Sequence, residues 1–106
     1  MVYTIKTMIS DKRSVEFEWN EGNQDKNEKK HDVTAREAEE VFFDDNKQEY
    51  PDPTHSGKES RKIVVGSTRR SRLLFVVYTK RGGKVRVISA RDLKKKKERS
   101  LYEETT

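Results

Sequence analysis

The chain of 106 residues has no cysteine, two prolines, two histidines and one tryptophan, and only 30% of its residues are hydrophobic. Without cysteine there are no disulfides, no thiolate metal sites and no thiol nucleophile. The two histidines, His31 and His55, fall short of the four ligands that a structural zinc ion takes. Asp44, Asp45 and Asp52 are the nearest thing to a carboxylate cluster, but they surround a helix exit, where acidic residues are ordinary, and no metal site is expected. No run approaches the roughly 20 apolar residues that span a bilayer. The first ten residues, interrupted by Lys6 and Thr7, do not read as a secretion signal, so a cytoplasmic protein is expected. Neither a phosphate-cradling loop nor a dinucleotide glycine pattern occurs, and no cofactor is expected.

What is abundant is charge, at 41% of residues, with 24 Lys and Arg against 19 Asp and Glu. Residues 1–53 hold 8 basic and 14 acidic side chains, whereas residues 54–106 hold 16 basic and 5 acidic, so a net −6 half is joined to a net +11 half. Such asymmetry within one small domain points to a surface field aimed at a polyanion, nucleic acid being the commonest. The plainer readings are a dipolar surface without a ligand, or a basic patch that meets an acidic protein.

The apolar residues concentrate in 63–65, 73–78 and 85–88, three short runs separated by polar turns, which predict neighbouring strands. Residues 61–68 and 73–79 are joined by a turn at 69–71, and Gly82 with Gly83 closes a hairpin onto 84–91, giving an antiparallel meander. Upstream, Val15, Phe17 and Trp19 alternate with Glu16 and Glu18 as in a half-buried strand. Thr34 and Glu37 have capping-box spacing, and Ala38, Val41 and Phe42 share a helical face, so a helix is predicted over 35–43. Pro51 and Pro53 keep the chain that follows extended or turning. Residues 20–31 contain no strong hydrophobe; Asn20 can cap a helix there and Lys29, Lys30 and His31 can complement its C-terminal end, but a loop is equally compatible. A last helix is predicted over 93–102. Residues 1–14 form an N-terminal extension or an extra strand, and 15–106 a single α+β domain: an antiparallel sheet of the meander plus the N-terminal strand, with two N-terminal helices and a C-terminal helix on one face.

Arg61, Arg69, Arg70, Arg72, Arg86 and Arg91 lie on or beside the meander, with Tyr78 and Ser89 among them. Guanidinium forks match phosphate, and single-stranded RNA stacks on aromatic rings. The same arginines also suit the solvated face of a half-buried sheet. On a regular strand Arg86 and Arg91 face opposite sides, so they share a groove only if a bulge or the strand end turns one of them.

Taken together, Phe17, Glu18 and Trp19, then Asn27, Lys30, His31 and Val33, then Ala38, Val41, Phe42, Phe43 and Asp44 resemble the opening of the BrnT toxin family. The likeness continues through Asp52, His55, Ser56, Glu59, Arg61 and Gly66 into two specific blocks, Leu73 to Thr79 preceded by Arg72, and Arg86 to Arg91, and then reaches Glu98, Arg99 and Tyr102. Departures include Asp32 and Ser71 where the family carries Gly, and Asp92 with Leu93 where it carries Lys and Ala. The resemblance implies a RelE-like fold, a helix over 20–31, and an endoribonuclease toxin of a type II toxin–antitoxin pair, held inactive by a BrnA-like antitoxin and acting on RNA to inhibit translation and growth.

Metal-independent RNA cleavage needs groups that accept and donate a proton and cations that neutralise charge on the phosphoryl oxygens. With the family's chemistry in mind, the candidate catalytic residues are Lys30, His31, Glu59, Arg61 and Arg91, with His31 moving protons, Glu59 as a base, and Lys30, Arg61 and Arg91 stabilising the transition state. His55, Arg72, Tyr78, Arg86 and Ser89 are the candidate RNA contacts, and His55 is a second candidate for proton transfer. The alternatives are a non-catalytic nucleic-acid-binding module and a protein-interaction partner.

Overall fold

A computed structural model describes residues 2–8, 14–52 and 60–103. In chain order the elements are β1 (Val2–Met8), β2 (Ser14–Asn20), α1 (Glu21–His31), α2 (Ala35–Val41), β3 (Gln48–Pro51), β4 (Arg61–Ser67), β5 (Leu73–Arg81), β6 (Lys84–Asp92) and α3 (Lys95–Glu103). Six strands form one sheet in the order β1-β2-β6-β5-β4-β3. The expected meander is present as β4, β5 and β6, with Gly82 and Gly83 both at positive φ in the two-residue turn between β5 and β6.

The sheet departs from the expected all-antiparallel one. β2 lies parallel to β6 through the pairs Phe17↔Val85 and Glu18↔Arg86, because the two helices and three strands between them return the chain in its original direction. β1 pairs antiparallel with β2 along its whole length, and β3 with β4. β3 carries no apolar alternation that would mark it, and its position at the sheet edge accommodates Pro51.

One face of the sheet holds the main core. Phe17 and Trp19 from β2, Leu74, Val76 and Tyr78 from β5, and Val85, Val87 and Ala90 from β6 pack with Ala38, Val41 and Phe42 around α2. Phe42 meets Phe17 and Tyr78 edge-on, at ring separations of 5.2 and 5.0 Å. The Thr34–Glu37 capping box starts α2 as its spacing predicts. The third helix is not with the other two. α3 lies over the opposite face, tied there by Tyr50 Oη–H to the Leu101 carbonyl (2.5 Å), by Tyr102 Oη–H to Asp44 Oδ2 (2.6 Å), and by Glu98 to Arg91. This second layer buries Val65 and leaves Phe75 and Val77 partly covered.

α1 has no apolar stripe and is held by amides instead. Asn20 and Asn23 cap its start reciprocally, and it ends at Asp32 in the left-handed region (φ 54°, ψ 39°). Asn23 Nδ2–H donates to the carbonyls of Val87 (3.0 Å) and Glu18 (3.2 Å), while Asn27 Oδ1 accepts the Ala90 N–H (3.0 Å). The register between β5 and β6 passes from Val77↔Ser89 to Tyr78↔Val87, which leaves Ile88 as an extra residue in β6. The backbone groups bound by Asn23 and Asn27 therefore flank this bulge on the edge of β6 away from β5, beyond the last β2–β6 pair, where among the described residues no strand lies alongside.

Two outcomes follow from this packing. Asn27→Ala leaves the buried Ala90 N–H without an acceptor and is expected to lower stability by about 1–3 kcal/mol in denaturant titrations. Glu39, nearly buried, accepts the Trp19 indole N–H at 2.8 Å, yet burial still pushes its pKa up. A raised carboxyl pKa means that ionisation costs stability above it, so Glu39→Gln, which keeps an acceptor without charge, is expected to melt at or above wild type at pH 7, with the difference shrinking near pH 4.

Candidate functional site

The last turn of α1, the end of β6 and the start of α3 meet at one end of the sheet. They border a shallow, open cleft of about 610 Å³ lined by Lys29, Lys30, His31, Asp32, Arg91, Asp92 and Lys94. The asparagine contacts set how far α1 leans over β6, and the left-handed turn at Asp32 stops the helix so that its basic last turn forms one wall. Four permanent cations and an imidazole face two carboxylates across this space, so the cleft favours an anion.

Arg91 is the most firmly held of these cations. Its Nη1 and Nη2 donate to Glu98 Oε1 and Oε2 at 2.8 Å each, Nη1 also donates to the Asp92 carbonyl, and the guanidinium lies 4.1 Å above the Phe75 ring. Of its five N–H donors, one on Nη2 and the one on Nε have no acceptor among the described residues. Glu98 also accepts the Lys94 N–H at 2.8 Å and so caps the start of α3 with the carboxylate that holds Arg91. The Arg91 hydrogen bonds keep the Glu98 carboxyl below its ordinary range, outweighing burial.

Arg72 has no donor left. Nε and Nη2 fork onto Asp92 Oδ1 (2.7 Å) and Oδ2 (3.1 Å), Nη1 reaches the Asp32 carbonyl (2.8 Å) and Glu37 Oε2 (3.0 Å), and Nη2 reaches the His31 carbonyl (3.3 Å). These bonds hold the Asp92 carboxyl below its usual range. Burial opposes ionisation of Glu37, but the Thr34 backbone N–H and Arg72 together bring its pKa down.

Of the candidate catalytic residues, the cleft brings together Lys30, His31 and Arg91. Arg61, which makes no side-chain hydrogen bond or ion pair among the described residues, is elsewhere: it pairs with Thr79, four residues along β5 from the Phe75 that opposes Arg91. At about 3.3 Å per residue this is roughly 13 Å along the strands, and with β4 and β6 on either side of β5, roughly 10 Å across them, the two backbone positions lie about 16 Å apart. Glu59 and His55 lie outside the described residues.

Among the candidate RNA contacts, Arg86 pairs with Glu18 at 3.2 Å, and half-buried Ser89 sits opposite Val77. The bulge decides the parity question: Val85, Val87 and Ala90 all face the core, so Arg86 and Arg91 share the other face. Tyr78 is buried in the core against Phe42, and its hydroxyl donates to Glu49, so its ring offers no stacking surface; burial, with Glu49 nearby, pushes the phenol pKa well up.

Lys29, Lys94, Asp92, Glu98 and Phe75 take part in the site without having been singled out for it. The pattern that marks Glu98 is its place at the fourth residue of α3, where a carboxylate caps the helix start and lies within reach of the strand just ended. Among the described residues no three His, Asp or Glu side chains gather as a metal ion would require, and no helix is long and apolar enough to cross a membrane.

The chain is thus a small basic α+β domain with an imidazole and a buttressed guanidinium in one anion-favouring cleft. The family profile that matches it, over residues 19–97, is that of the ribonuclease toxin BrnT of type II toxin–antitoxin systems. The match covers three quarters of the sequence and every residue of the cleft, and the chain belongs to the BrnT family. A comparison with curated proteins gives no match.

The three low carboxyl pKa values set an acid limit. Glu37, Asp92 and Glu98 have folded pKa values below their ordinary 4.5, 3.8 and 4.5, so their contribution is fully present above those values and is lost as pH falls through the lower folded ones. Thermal melts are expected to show stability dropping below about pH 4.5, with a shallower drop in Glu98→Gln.

Proposed function

We propose that this chain is a metal-independent, RelE-like endoribonuclease that cleaves RNA in the cleft between α1, β6 and α3, inhibits translation and growth in the cytoplasm, and is neutralised by a BrnA-like antitoxin. The observation that carries this reading is the meeting of His31 and Lys30 with Arg91, itself fixed by Glu98 and Phe75. Membership of a ribonuclease toxin family supports the reaction class and the existence of an antitoxin partner.

RNA carries its own nucleophile, the 2′-hydroxyl, which attacks the neighbouring phosphorus in line and expels the 5′-oxygen. His31 takes the 2′-hydroxyl proton or, as imidazolium, gives one to the departing 5′-oxygen, and water completes the other transfer. Arg91, through its free Nη2 and Nε protons, and Lys30 neutralise charge growing on the non-bridging oxygens; a guanidinium already clamped by a carboxylate and a ring needs no reorganisation to do so. Lys29 and Lys94 hold flanking phosphates. Arg86 and Arg61 belong to rows farther along the sheet face that carries Arg91, within reach of an RNA strand crossing it, and Glu59 and His55 adjoin that end in sequence.

Purified, antitoxin-free protein incubated with RNA and a chelator is expected to yield fragments ending in 2′,3′-cyclic phosphate and to leave a 2′-deoxy substrate intact. His31→Ala and Arg91→Ala are each expected to lower kcat by about 10²-fold or more. If folded wild-type protein leaves RNA whole, the reading fails; binding with steep salt dependence but no cleavage would then identify a nucleic-acid-binding module.

A further inference from the structure

We infer that Arg72 is a positioning residue, which sets the relative placement of His31 and Asp92 from behind the cleft and does not itself touch RNA. The inference rests on the cleavage reading above and adds to it a residue that acts through others.

The argument is one of donor count and place. A guanidinium has five N–H groups, and in Arg72 each has an acceptor within 3.3 Å. A phosphate would have to displace one of these, and Arg72 is not among the residues lining the cleft. What it grips are the parts that do line it: the backbone of His31 and Asp32, and both oxygens of Asp92. The two carbonyls belong to the end of α1, where intrahelical partners run out, so Arg72 satisfies the helix terminus at the residue whose side chain enters the cleft.

Asp32 holds a backbone conformation that costs an L-residue free energy, and the 2.8 Å bond to its carbonyl helps to hold it there. On the far side Glu37 fixes the guanidinium through Oε2, while its Oε1 accepts the Thr34 N–H of the α2 capping box. A rigid plane therefore links the start of α2, the end of α1 and the end of β6. Lysine, with three donors on one nitrogen, cannot reproduce five directions.

Arg72→Lys and Glu37→Gln, assayed at a temperature where both remain folded by circular dichroism, provide the test. Arg72→Lys is expected to lower kcat on a short RNA by about 10–100-fold, as a misplacement near 1 Å does, with KM within about twofold. Glu37→Gln, which leaves Arg72 charged, is expected to lower kcat in the same direction by less. Binding of an uncleavable 2′-O-methyl RNA is expected to keep its slope of log affinity against log salt in folded Arg72→Gln, which removes the positive charge that Arg72→Lys retains. The backbone amide resonances of His31, Asp32 and Asp92 are expected to shift in Arg72→Lys.

A slope reduced by about one in Arg72→Gln, or a raised KM with kcat retained in Arg72→Lys, would make Arg72 a phosphate contact and overturn the inference. Unmoved resonances at His31 would overturn it as well. Should wild-type protein fail to cleave RNA at all, the proposed function falls, while the salt slope and the resonances still decide whether Arg72 positions the cleft.

Discussion

Two asparagine side chains decide where α1 sits, and with it one wall of the cleft. A helix with no apolar residue cannot be driven onto a sheet by the hydrophobic effect, because it has nothing to bury. Asn23 and Asn27 supply the missing attachment by bonding to the backbone of β6 on the edge opposite β5, where its pairing with β2 has ended. Each amide sits in a buried place where an unmet N–H or C=O would cost more than the bond itself contributes, which makes the contact selective for one placement of the helix. From that placement Lys29, Lys30 and His31 follow directly, since they ride on the next turn.

The arginines divide by what holds them. Arg72 is wholly committed to protein acceptors, Arg91 is committed in part, Arg86 is paired with one carboxylate, and Arg61 has no such partner among the described residues. Net charge in the C-terminal half therefore overstates the cationic surface that a polyanion meets. What a fixed guanidinium loses in free charge it gains in orientation, and a transition state that must be matched within a fraction of an ångström rewards orientation.

Much of the fold was readable because its cues are local. The capping box at Thr34, the paired glycines at 82 and 83 and the alternation of Val15, Phe17 and Trp19 each act within a few residues. The parallel neighbourhood of β2 and β6 was not readable, since nothing local in either strand names its partner, and the same holds for α3 crossing to the opposite face. β3 escaped because an edge strand needs no apolar periodicity. Composition left α1 undecided between helix and loop; the family likeness implied the helix, and the cue in the chain itself is polar, an asparagine at positions 20, 23 and 27. Three of the candidate catalytic side chains share the cleft, whereas Arg61, on the same sheet face, could be separated from Arg91 only by knowing the strand register.

That register turns on a single surplus residue. With Ile88 looped out, nine residues of β6 show their basic side chains to one side at both ends, an arrangement that strict alternation forbids. The strand thus behaves like a spring wound one notch out of phase: a deletion or insertion anywhere between Val87 and Arg91 would exchange inside for outside in everything downstream, whatever residue types were kept. The number of residues in this stretch, and not their types alone, thus settles which side chains reach the core and which join Arg86 on the far side.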